Sequence, residues 1–177
     1  TFKKLNEDKK VKVIILEGAG RGFSAGHNLK EVKNLKKKVK YNKLFNLCSK
    51  LMLQIVEGRK PVIAKVHGAA YAAGCQLVAS CDLAYASNSA KFATPGVNIG
   101  LFCSTPMVAL SRNVSNKQSM EMLLNGDLIA SKKAEKIGLI NEVVNDELLE
   151  KFTMEKAIKI SKKSAMTLKI GKEAFYK

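Results

Sequence analysis

The sequence predicts an α/β fold in one domain, on three observations. First, β-branched runs alternate with segments of helical spacing: Val11-Lys-Val-Ile-Ile-Leu16 and Val62-Ile-Ala-Lys-Val66 read as buried strands, while Leu44, Leu47, Leu51 and Ile55 recur at the period of a helix. Second, both strands run into turns of very small residues, Gly18-Ala-Gly-Arg-Gly22 after the first and Gly68 to Gly74 after the second. Third, 177 residues of which 46% are apolar suffice for one domain with a real core.

The strand at 11–16 ends in the Gly18–Gly22 loop, which can adopt unusual backbone angles. This is not a P-loop, because no Gly-Lys-Ser/Thr ending follows. Phe23-Ser24-Ala25-Gly26-His27-Asn28-Leu29 then turns toward a helix over about 40–57, closed by Gly58 and Pro61. After the strand at 62–66, residues 68–74 read as a tight turn, and Leu77, Val78 and Cys81 mark a buried helix. Asp82 ends that helix and anchors the turn, Asp82–Ala86 and Lys91–Ala93 are further strands, and 94–106 is a loop. Leu101 and Phe102 are apolar in that loop, as pocket-lining residues are. Thr105-Pro106 reads as a helix cap with proline in the first turn. Helices are expected at 106–113, 117–124, 131–137, 147–162 and 165–176, with a brief strand at Val143-Val144. No internal repeat, low-complexity linker or second domain is visible.

The small residues at 68–74 suit two purposes. They let a helix pack closely on a strand, or they let a ligand approach the unpaired N–H groups of a helix start. In the second case the bend can hold an oxygen on which negative charge develops.

Net charge is +16, from 31 basic and 15 acidic residues, which raises the question of nucleic acid. Only Arg21, Arg59 and Arg112 are arginines, Trp is absent and the aromatics are scattered, so nucleic acid is not expected as a partner. Lys30, Lys33, Lys36, Lys37, Lys38, Lys40 and Lys43 form one cluster, relieved only by Glu31. It fits either a phosphate-bearing ligand or a plain solvated helix face. No run can cross a bilayer, and no membrane partner is expected. Cys48, Cys75, Cys81 and Cys103 lack metal-ligand spacing, no metal site is expected, and the chain reads as a reduced intracellular protein. Its opening at Thr1 is a polar segment unlike a signal or transit peptide, as if from the middle of a longer protein.

Two stretches, Phe23-Ser-Ala-Gly-His-Asn-Leu and Val66-His-Gly-x-x-x-x-Ala-Gly-Cys-Gln-Leu-x-x-x-Cys-Asp-Leu, resemble in order and separation the signatures of the crotonase (enoyl-CoA hydratase/isomerase) superfamily. Ala93-Thr-Pro-Gly-Val-Asn-Ile-Gly-Leu and the segment from Gly126 to Val144 continue the resemblance over nearly the whole chain. It implies a crotonase-like (ClpP/crotonase) spiral of ββα units with C-terminal helices, as a single domain over 1–177 without the family's opening strands and last helices. It also implies an acyl-CoA thioester as ligand, no cofactor beyond that coenzyme A, assembly as a homotrimer or hexamer, and the mitochondrion as a candidate compartment. By motif, the two N–H groups that hold the thioester oxygen fall on Ala25 and Ala73, flanked by Gly26 and Gly74. The coenzyme arm would run along Ser24, Ala25, Leu29 and Lys30, and Phe102 would line the acyl pocket.

The sequence departs from the hydratase pattern at the two carboxylates that hold and split water. One place is Gln76 and the other Gly96, and neither side chain can take a proton near neutral pH. The resemblance therefore implies a hydratase/isomerase-like acyl-CoA binder with an intact oxyanion hole and no efficient hydration. An alternative is a decarboxylase using His27, since some family decarboxylases carry histidine there. Their tyrosine partner falls in a region that here reads Phe102-Cys103-Ser104. A further alternative is a non-catalytic, partner-binding subunit of a trimer. His27 and His67 each also read as structural loop residues, and Cys103 as a small pocket-lining residue.

Overall fold

The apolar runs of the sequence become the centre of a parallel sheet. The computed structural model describes all of residues 1–177. Helix α1 (Phe2–Glu7) leads to β1 (Ile14–Glu17), followed by α2 (Leu29–Asn34), α3 (Lys38–Val56), β2 (Val62–Val66), β3 (Ala69–Tyr71) and α4 (Ala73–Ser80). Next come β4 (Leu83–Ser87), β5 (Lys91–Ala93), a 3-10 helix at Pro95–Ile99, α5 (Ser104–Asn113) and α6 (Asn116–Asn125). The chain finishes with β6 (Ile129–Ala130), α7 (Ser131–Lys136), β7 (Glu142–Val144), a 3-10 turn at Asp146–Leu148, α8 (Leu149–Ser161) and α9 (Ala165–Tyr176).

One sheet has the order β1-β2-β4-β7, all parallel, and the second has the order β3-β5-β6. The chain thus winds in strand-strand-helix turns, β2-β3-α4 and then β4-β5-α5. Val62, Ile63, Ala64 and Val66 are all buried, as expected of a parallel strand covered on both faces. Val62, Ala64 and Val66 belong to the main core with Val78 of α4 and Leu110 of α5. Ile63 belongs to a smaller cluster with Tyr85, Leu149 and Ala157 of α8 on the opposite face. The Lys172 ammonium of α9 ties this frame together, donating to Asp82 Oδ2 at 2.6 Å and to the carbonyls of Ile55 (2.8 Å) and Lys60 (3.1 Å). Asp82 also accepts from the Val62 N–H at 2.7 Å, so it anchors the turn after α4 as the sequence implies.

Some local expectations are corrected. The first strand starts at Ile14, not Val11, because pairing with β2 begins at Ile14–Val62. The turn at 68–74 contains a strand: Ala69–Tyr71 pairs in parallel with Lys91–Ala93, and tertiary pairing overrides the poor strand propensity of alanine. Helix α5 starts at Ser104 with Cys103 as its cap position, so Thr105 lies inside the first turn. The mostly polar α1 is held by Phe2 and Leu5, which pack against the main core.

Candidate functional site

The two glycine-rich segments are stitched edge to edge. Phe23 N–H donates to the His67 carbonyl (2.8 Å), Ser24 N–H to the Ala69 carbonyl (2.9 Å), and Tyr71 N–H to the Ser24 carbonyl (2.8 Å). Ser24 and Ala70 form a parallel bridge, so the first loop runs as an extra edge beside β3. Such contact needs residues without side chains. A Cβ on Gly74 would lie 2.1 Å from the Ser24 carbonyl oxygen, and one on Gly68 would lie 2.4 Å from the Arg21 carbonyl oxygen. His67, with Nε2 2.9 Å from the Gly20 carbonyl oxygen, donates to it and holds the first loop, which is a structural role.

At the far end of this seam the loops diverge around two amides. Gly26 N–H is occupied by the Ser24 hydroxyl at 3.2 Å, whereas Ala25, outside every helix and strand, donates no hydrogen bond within the protein. Ala73 is the first residue of α4, where an N–H has no carbonyl one turn earlier in its own helix. No loop or cap bond uses the Ala73 N–H, and no side chain caps the helix. A Cβ on Gly26 (φ +91°) would lie 3.1 Å from the Ala73 nitrogen, so the two bends meet here. The residue that sets the direction of the Ala73 amide is Ala72, whose φ of 49° is rare for a residue with a side chain. Conformations of this kind cost about 1–3 kcal/mol and gather at functional sites. The Ala72 N–H is held by the Ala93 carbonyl of β5 at 2.9 Å.

Ser24, Gly26, His27 and Ala73 line one cleft of about 460 Å³. Its other wall is α3, through Leu44, Leu47, Cys48 and Leu51, with Leu77 of α4 at the floor. The His27 ring stands edge-on to Phe45 at 5.8 Å between centroids. The sequence reads Leu44, Leu47, Leu51 and Ile55 as recurring at the period of a helix. Yet within α3 only Met52 and Ile55 are buried, and Leu47 is 66% exposed. A helix with more apolar surface than the core can take is the signal that would have marked these residues. Burial raises the pKa of the Cys48 thiol, which keeps it protonated in the wall.

Other expected site residues lie elsewhere. Leu29, Lys30 and Phe102 are exposed and are not part of the cleft lining. Gln76 is 6% exposed, and its Oε1 is buried without a hydrogen-bond partner. Gly96 closes a turn through the Leu101 N–H (2.9 Å), and a Cβ there would lie 2.5 Å from the Leu101 carbonyl oxygen and 2.9 Å from Cys103 Sγ. Cys103 is therefore a packing residue of this turn. No three His, Cys, Asp or Glu side chains converge to hold a metal ion.

Two sheets wound from strand-strand-helix turns, with a cleft where two glycine-rich bends meet, define a crotonase-type fold. The family model for enoyl-CoA hydratase/isomerase matches residues 1–177, and the chain belongs to that family. It is 48% identical over 171 residues to enoyl-CoA hydratase domain-containing protein 3, mitochondrial, of Mus musculus, covering 97% of this chain and 57% of the mouse protein. The chain thus spans little more than half the length of that relative. The crystal structure of an enoyl-CoA hydratase from Mycobacterium smegmatis superposes with a TM-score of 0.96 at 46% identity, over 99% of this chain and 68% of the other. The crystal structure of human enoyl-CoA hydratase domain-containing protein 3 gives 0.93 at 45% identity, over 99% and 72%.

Proposed function

We propose that this chain binds an acyl thioester of coenzyme A and polarises its carbonyl with the N–H groups of Ala25 and Ala73, without the carboxylate pair that hydration needs. The observation carrying this reading is that Ala25 donates to nothing within the protein, while the neighbouring Gly26 amide is occupied, and that its two chain neighbours, Ser24 and Gly26, line one cleft together with Ala73. Backbone donors of this kind stabilise an enolate as charge moves onto the thioester oxygen, each worth roughly 3–4 kcal/mol. They cannot be titrated away. The acyl chain would run along Leu44, Leu47, Leu51 and Leu77.

Proton transfer to or from C2 and C3 has no carboxylate to serve it at Gln76 or Gly96. General acid–base help is worth about 10²–10⁴-fold per group, so hydration should be slow. The edge-on packing of His27 against Phe45 supports a wall role for that imidazole. Large apolar side chains exposed on α5 and α9, among them Val108, Ile170 and Phe175, support assembly into trimers or hexamers. Several relatives are named mitochondrial, and we propose the same compartment for this chain.

Titration calorimetry with butyryl-CoA tests the binding reading: saturable heat in the micromolar range is expected, and none at high micromolar concentration overturns it. A crotonyl-CoA hydration assay on the same sample should show less than a hundredth of the rate of a glutamate-bearing hydratase.

A further inference from the structure

The lysine cluster exceeds what a small ligand needs. Lys30, Lys33, Lys36, Lys37, Lys38, Lys40 and Lys43 fall on α2, the link after it and the first turns of α3, and all seven are exposed. None of their ammonium groups forms a hydrogen bond or salt bridge. Glu31, the one acidic residue of the stretch, is engaged with Asn28 at 2.9 Å. Apolar side chains stand among these cations: Leu29 is 54% exposed and Val39 77%. The patch lies in the chain between His27 and Leu44, both of which line the cleft.

Unpaired lysines with apolar side chains between them are the signature of a surface that sits on anionic lipid: the cations meet headgroups and the apolar groups enter the interface. A nucleic acid would be met by arginine and stacking aromatics, and residues 29–43 contain no arginine and a single aromatic, Tyr41, which is half-buried.

We infer that the stretch 29–43, against the expectation of no membrane partner, docks this protein reversibly onto an anionic phospholipid surface, with the cleft residues His27 and Leu44 at its two ends in the chain. The inference rests on the surface alone and does not require thioester binding.

Vesicle co-sedimentation of the full chain tests it, using phosphatidylcholine vesicles with and without about one-third phosphatidylserine. Binding is expected only with phosphatidylserine and should fall steeply as salt rises from 0.1 M to 0.5 M, as screening requires. The triple variant Lys36→Gln/Lys37→Gln/Lys38→Gln should lose about a hundred-fold in partition, whereas Lys159→Gln/Lys162→Gln/Lys163→Gln, on exposed positions around the end of α8, should lose less than five-fold. Val39→Ser should weaken binding at unchanged charge. Circular dichroism confirms that each variant is folded. Equal losses from the two triples reduce the effect to net charge and overturn the inference. Absence of vesicle binding alongside tight binding to heparin also overturns it, in favour of another polyanion.

Discussion

Gly74 faces the Ser24 carbonyl so closely that a methyl group on it would sit 2.1 Å from the oxygen. Gly74 is the second residue of α4 and Ser24 lies just after the first glycine-rich loop, so this contact sets how closely the two bends approach. Gly74→Ala has no flexible neighbour to displace, only the Ser24 carbonyl group and the Ser24 Cβ. It should cost about 2 kcal/mol or more, seen as a fall of roughly 4–8 °C in Tm. Acyl-CoA affinity should drop with it even in the folded fraction, which calorimetry well below the melting range can read.

Restoring glutamates should not restore a hydratase. Gln76→Glu places a carboxyl at a site 6% exposed, where Oε1 already lacks a partner. Gly96→Glu must move the Leu101 carbonyl, which the added Cβ would meet at 2.5 Å. The double variant should be destabilised by about 2 kcal/mol or more and hydrate crotonyl-CoA no more than about ten-fold faster than the parent chain. A gain of a thousand-fold would show that lost side chains alone, and not the closed turn at Gly96, withhold the activity.

Leu47 separates stability from binding. It is 66% exposed and lines the cleft. Leu47→Ser should leave Tm within about 2 °C of the parent, since exposed substitutions usually stay within about 0.5 kcal/mol. Affinity for octanoyl-CoA should fall about ten-fold while that for acetyl-CoA holds. Equal effects on both thioesters would place the acyl chain elsewhere.

The molecule should weaken in alkali. The Cys75 thiol is fully buried, and burial, with nearby Cys103 adding, pushes its pKa from 9.0 up to about 12. Cys81 is raised in the same direction, first by burial and then by Asp82. Between pH 9 and about 12 the unfolded chain loses these protons and the folded chain keeps them, so the stabilisation present below pH 9 is lost as pH rises. Each thiol contributes a slope of up to about 1.4 kcal/mol per pH unit. Urea midpoints between pH 8 and 11 should therefore fall, and the fall should be shallower in Cys75→Ala. An identical slope in that variant would remove Cys75 from the explanation.

Much of the fold is legible in the sequence because side-chain pattern creates it. Val62–Val66 is buried on both faces and has no alternative to a central strand. Asp82 is legible as an anchor, but its partner Lys172 lies 90 positions away, and no local pattern announces that contact. Ala69–Tyr71 is hidden for the opposite reason: alanines carry no strand signal, and only pairing with β5 makes them one. In the cleft, Ser24, Gly26, His27 and Ala73 come together from the two motif stretches, whereas Leu47 and Cys48 belong to a helix whose spacing alone does not mark a cleft wall. Phe102 is apolar and loop-borne as a pocket residue would be, yet it stands 44% exposed outside that cleft.

The central claim is that two backbone amides, on separate bends, share one oxygen. A crystal soaked with acetyl-CoA measures this directly. The account predicts the thioester oxygen within about 2.7–3.1 Å of both the Ala25 and the Ala73 nitrogen. A thioester oxygen bound in the cleft by neither amide, or only by water, would contradict it.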